Sequence, residues 1–176
     1  WIYLESRSVL ATSLLGGSYL LLMAVCGVPF GMLVDRHPKK HVMVGAQIVT
    51  VVSFAAALAF FVWTPTSEIA RVGSPAFWVF GALILVGALV ASARGIALST
   101  TVTLLVPEPE RARANGVVGI VGGLSFAVTS VFSGLSVGLL GMGWSLVIAL
   151  ALSVAALAHL AWVSIPEHGV VHAEGV

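Results

Sequence analysis

Charge is what this sequence has least of. Eight Lys and Arg and seven Asp and Glu make up 9% of its 176 residues, against roughly a quarter in soluble domains. So few charges cannot give a core of this size a polar coat, and they are too dispersed to form a nucleic-acid surface. Cysteine is nearly absent as well. Cys26 stands alone in an apolar stretch, which excludes an intrachain disulfide, a CxxC pair and a zinc pattern. There is no nucleophile elbow, no phosphate-binding glycine loop and no His-Glu-x-x-His pattern. No enzyme activity, cofactor or metal is therefore expected. A basic leader followed by a short apolar segment and a small-residue cleavage site is also missing. The chain opens on Trp1, and this start reads as a cut rather than a biological terminus.

What fills the sequence is apolar. Hydrophobic residues account for 59% of it and the mean hydropathy is +1.10, values of an integral membrane protein. Charge-free runs cover residues 8–34, 41–67 and 114–166, and crossing a hydrocarbon core of about 30 Å takes about 20 residues. The last run, 53 residues long, fits two crossings, with Gly141-Met142-Gly143-Trp144 as the turn. The expected fold is all-α, a transmembrane bundle over residues 1–165 with five helices at about 8–34, 42–63, 77–105, 114–140 and 144–164. Residues 166–176 form a polar cytoplasmic tail. Its His168 and His172 are spaced i, i+4 near Glu174, but the segment has no helical pattern and reads as solvated rather than metal-binding. His159, alone in the last helix, reads as a hydrogen-bonding or interfacial residue.

The one dense cluster of charge between two long apolar runs is Gly31-Met32-Leu33-Val34-Asp35-Arg36-His37-Pro38-Lys39-Lys40. It reads as a tight loop between the first two helices. Arg36, Lys39, Lys40, Arg111 and Arg113 fall on its side of the membrane, Arg7 and Arg71 on the other. By the positive-inside rule the loop at 35–41 faces the cytoplasm, and the chain lies in the plasma (inner) membrane. Gly31 permits close packing at the helix end. Asp35 suits a cation or the positive N-terminus of a neighbouring helix, and the basic residues suit anionic headgroups. A purely topological loop would not require the acid.

The decapeptide has the form Gly-x-Leu-(Ala/Val)-Asp-Arg-x-x-(Arg/Lys)-(Arg/Lys), and in this the chain resembles the major facilitator superfamily, whose loop between transmembrane helices 2 and 3 is of this kind. A second stretch, Leu105-Val106-Pro107-Glu108-Pro109-Glu110-Arg111-Ala112-Arg113-Ala114-Asn115-Gly116, looks like the loop between helices 4 and 5 of efflux-type members, macrolide- or drug-exporter-like. The resemblance implies helices 2 to 6 of a twelve-helix transporter, with helix 1 and the C-terminal bundle missing. It implies a small-molecule substrate moved by alternating access, and a cytoplasmic latch built on Gly31, Asp35, Arg36, Lys39 and Lys40, with Arg113 as the partner of Asp35. The Gly-Pro pair common in antiporter-type members is replaced here by Thr129 to Gly134, so proton-coupled drug export is not implied. The alternative is a non-transporting membrane bundle that binds a partner subunit.

Two patterns remain within the spans. Arg94 is the one charge in residues 72–107, and a guanidinium inside a membrane helix usually turns to a bundle interior or aqueous cavity. It shares a stripe with Gly87, Ala91, Leu98 and Thr101, so Arg94 and Thr101 are candidate transport-pathway residues. The competing reading is an arginine that snorkels to the interface. Small residues at Gly119, Gly123, Ala127, Ser130, Gly134 and Gly138, and the pair Gly27 and Gly31 one turn apart, are expected to let a partner helix approach closely.

Overall fold

A computed structural model describes residues 1–165, and the tail with His168, His172 and Glu174 lies outside them. The described residues form α1 (Ile2–Ser6), α2 (Val9–Arg36), α3 (Lys39–Trp63), α4 (Thr66–Ile69), α5 (Pro75–Leu105) and α6 (Glu108–Trp162). Four of these, α2, α3, α5 and α6, are long and apolar enough to cross a membrane.

The 55 residues of α6 are two helices in sequence, because Gly141 has φ 82° and ψ 173°, a conformation that side chains with a Cβ rarely adopt. The hydroxyls of Ser136 and Ser145 lie 2.8 Å apart, whereas nine residues of uninterrupted helix would separate them by about 13.5 Å along the axis. The chain therefore folds back at Gly141. We call residues 108–140 α6a and residues 142–162 α6b. The described residues thus form an all-α bundle in which the last of four candidate membrane spans is folded into two helices.

The charged connections are shorter than their composition suggests. Asp35 and Arg36 belong to the last turn of α2, and Lys39 already opens α3, leaving His37 and Pro38 between them. Glu108 to Arg113 likewise lie in the first turns of α6a, after Pro107. Proline sets both boundaries. It cannot continue the preceding helix, but it fits where a helix begins, since the first N–H groups have no intrahelical acceptor. Pro29 lies inside α2, which runs through it to Arg36.

Contacts fix the directions. Lys40 meets the Ala161 carbonyl and Gln47 the Ser153 carbonyl, so α3 and α6b are antiparallel. Thr50 donates to the Gly87 carbonyl at 3.2 Å, while Arg94 reaches Gln47, so α3 and α5 are antiparallel too. The core follows from this. At one end Val34, Val42, Met43 and Ala97 pack together, flanked by Ile96, Leu160 and Ile165. At the other, Ala57, Ile69, Phe80 and Leu146 do so, with Trp1 edge-on to Phe61 and Phe80. Trp1 is thus part of the packed end.

At that second end the start of α5 is built by local polar chemistry. Ser74 accepts from the Ala76 amide at 3.2 Å and donates to the Glu68 carboxylate at 2.9 Å, while Arg71 binds both Glu68 oxygens at 2.9 and 2.7 Å. The Ser74 hydroxyl has the largest influence and, against desolvation, holds the Glu68 carboxyl below its ordinary pKa of 4.5, with Arg71 adding to the lowering. A lowered native pKa means that the stabilisation is complete above the unfolded value and is lost as pH falls through the native one. Glu68→Gln should therefore lower the melting temperature slightly at neutral pH, and the gap to wild type should close on acidification. A gap that persists unchanged in acid would show that the carboxylate is not its source.

Candidate functional site

The charged end is built on helix termini. The Lys39 ammonium donates to the carbonyls of Val34 at 2.8 Å, Asp35 at 3.3 Å and His37 at 3.4 Å. The His37 ring binds the Leu33 carbonyl at 3.0 Å. Lys40 donates to the Ala161 carbonyl at 3.3 Å, one residue from the end of α6b. The last carbonyls of a helix have no intrahelical donor and carry the negative end of its dipole. The two lysines supply the donors and the opposing positive charge to the ends of α2 and α6b. Sequence reading assigned them to headgroups and latch, and it could not have seen that they cap two helices, one of them more than a hundred residues away.

Asp35 and Arg36 are exposed beside this knuckle, and Gly31 is half-buried with nothing within 4 Å of the position a Cβ would take. Arg113 is exposed in the first turns of α6a, at the same end of the bundle. Among the described residues no ion pair joins it to Asp35; the neighbouring Arg111 donates to the Val106 carbonyl at 3.0 Å.

The second polar feature lies inside the spans. One Arg94 Nη donates to the Gln47 Oε1 at 2.8 Å, and the Gln47 Nε2 donates to the Ser153 carbonyl at 2.9 Å. Gln47 is 3% exposed, so the amide is a buried bridge tying α5 to α3 and α3 to α6b. It lies about 12 Å in from Lys39 and only about 6 Å from the midpoint of α3, at 1.5 Å per residue. The guanidinium is therefore held at the level of Gln47, well inside the length of α3. Gln47 is the chain's single glutamine, and a lone amide in an apolar run was the available signal.

The stripe through Arg94 does not stay on one face. Gly87 and Thr101 are buried, Ala91 is half-buried, and Arg94 and Leu98 are exposed. The Thr101 hydroxyl donates to the Ala97 carbonyl at 2.8 Å, a bond within its own helix. Close helix approach instead uses Gly81 and Gly87, whose added Cβ would come within 2.7 Å of Leu15 and 2.8 Å of Phe54. Gly27, Gly119, Gly123, Gly134 and Gly138 meet nothing within 4 Å, and Ser130 is exposed on α6a with its hydroxyl bonded to the Phe126 carbonyl. Among the described residues no group of acids, histidines and cysteines is placed to hold a metal.

Neither the curated proteins nor the solved structures contain a match to this chain. A family model does match, and it spans residues 3–175, nearly the whole sequence and every long helix just described. With five apolar helices turning on an acidic and basic knuckle between the first two, the chain belongs to the Major Facilitator Superfamily, a family of membrane transporters.

Proposed function

We propose that the chain is the working part of a secondary active transporter that moves small molecules by alternating access, of the efflux type, with its charged end on the cytoplasmic side of the plasma (inner) membrane. Asp35 carries this reading. Its carboxylate stands exposed on a knuckle stiffened by Lys39 and Lys40, which cap α2 and α6b. An acid presented on a rigid mount can bind and release the N-terminus or cation of a second bundle, as rocking transport needs. Arg113 at the same end and Arg36 beside Asp35 complete the proposed latch, and Arg94 is assigned to the transport pathway, whereas Thr101 is buried and bonded within its own helix. The bare small-residue face of α6a supports a further helix there, and with it a second bundle, as the partners of this one.

Asp35→Asn in the full-length protein tests the latch. Transport in sealed vesicles is expected to fall severalfold while membrane insertion, read by protease accessibility of the loops, stays as in wild type. Unchanged transport kinetics would sink the role. Inverted vesicles report direction, and an efflux protein accumulates its substrate in them.

A further inference from the structure

The spans hold one full positive charge and no acid to balance it. Residues 8–34, 41–67 and 114–166 contain no Asp, Glu, Lys or Arg, and Arg94 is the one charge in residues 72–107. The acid closest in level among the described residues is Asp35, in the last turn of α2 beside the start of α3. That puts it about 12 Å along the axis from Gln47, at 1.5 Å per residue. Glu108 and Glu110 lie beyond the far end of α5. No charged or titratable side chain of α3 or α6b reaches the guanidinium. What reaches it is an amide, and the amide's orientation is fixed, because its NH2 is spent on the Ser153 carbonyl and only Oε1 can face Arg94.

A neutral acceptor fixes the direction of a guanidinium without cancelling its charge. One Nη is engaged by Gln47, and among the described residues the remaining donors of Arg94 have no partner while its side chain is exposed. Guanidinium donors form a planar fork that matches carboxylate and phosphate oxygens two at a time. At this depth a charge is costly unless paired. A mobile anion would relieve that cost each time it bound.

We propose that Arg94, aimed by Gln47, is the binding point for the oxyanion group of a small anionic substrate, a carboxylate or phosphate. This rests on the transporter reading above and adds the substrate's charge to it. Gln47 is then a positioning residue, and it must be neutral. An acid at position 47 would satisfy Arg94 permanently and close the site.

The test uses the protein labelled with 15N-arginine in phosphatidylcholine nanodiscs, with benzoate as probe and benzamide as its uncharged match, reading the side-chain Nε–H signal assigned to Arg94 by its loss in Arg94→Lys. Benzoate should move the signal saturably and benzamide should not. Gln47→Glu gives up the bond to the Ser153 carbonyl but gains an ion pair with Arg94; in molecules shown by their spectrum to be folded, it should weaken benzoate binding at least tenfold. Adding phosphatidylglycerol in place of benzoate should leave the signal where it was, separating a free anion from a lipid headgroup. The inference is overturned if benzoate leaves the signal still, if benzamide moves it equally, if phosphatidylglycerol alone reproduces the shift, or if Gln47→Glu binds benzoate as wild type does. Vesicle assays keep the two readings apart. Anion binding without transport removes the transporter reading alone. Transport of cations that is indifferent to Arg94→Gln removes the anion site alone.

Discussion

Gly87→Leu should destabilise the bundle by about 3 kcal/mol or more, whereas Gly81→Ala should be close to neutral, although the two glycines look equally crowded. Overfilling a packed interface typically costs about 1–3 kcal/mol and occasionally more, depending on whether the neighbours can yield. At Gly81 the obstacle is a terminal methyl of Leu15, 2.7 Å from the added Cβ, and a rotamer change on that half-buried side chain removes it. The helix-propensity gain of about 1 kcal/mol for Ala over Gly offsets what remains. At Gly87 the Cβ meets the Phe54 ring at 2.8 and 3.0 Å and the Ser53 Cβ at 3.2 Å. A ring can swing aside, but a Cβ moves only with its backbone. The Gly87 carbonyl also accepts the Thr50 hydroxyl, so pushing α5 away from α3 breaks a buried bond as well. Unfolding in mixed micelles measures both variants. Equal losses at the two sites would mean that the α3–α5 interface yields as readily as the α2–α5 one.

How much of this was legible beforehand depended on what the bilayer enforces. The long apolar helices could be read because a crossing needs a run of about 20 apolar residues, and the 53 residues from 114 to 166 were too long for one. Gly141 then sits where the length argument placed the turn. Helix ends were less legible, because charged residues read as loop while Asp35, Arg36 and Lys39 complete helical turns whose limits are set by Pro38. Facing was hardly legible. Helices that are apolar all round carry no periodic signal for which side packs, so Gly87 appeared as part of a pathway stripe and Gly81 did not appear at all. Arg94 stood out in sequence because charge is rare there. Its pairing with Gln47 could not be read, since Gln47 lies 47 residues away on another helix and the bond exists only once α3 and α5 are antiparallel.

That bond carries the second large effect. Gln47→Leu is expected to cost about 2 kcal/mol of stability, the scale of a lost hydrogen bond to a charged group, because it removes an acceptor from Arg94 and a donor from the Ser153 carbonyl together. Neutral hydrogen bonds between membrane helices average only about 0.6 kcal/mol, so the Ser153 contact alone would give a much smaller loss. The two contributions separate in a double-mutant cycle with Arg94→Ala. If the guanidinium dominates, Gln47→Leu in the Arg94→Ala background should cost well under 1 kcal/mol, near the neutral-bond value. Should the cost stay the same in both backgrounds, Gln47 acts as a strap between α3 and α6b and the arginine is incidental to it. Transport adds a second axis, since a strap affects stability first, whereas a residue that aims Arg94 changes substrate affinity in molecules that remain folded.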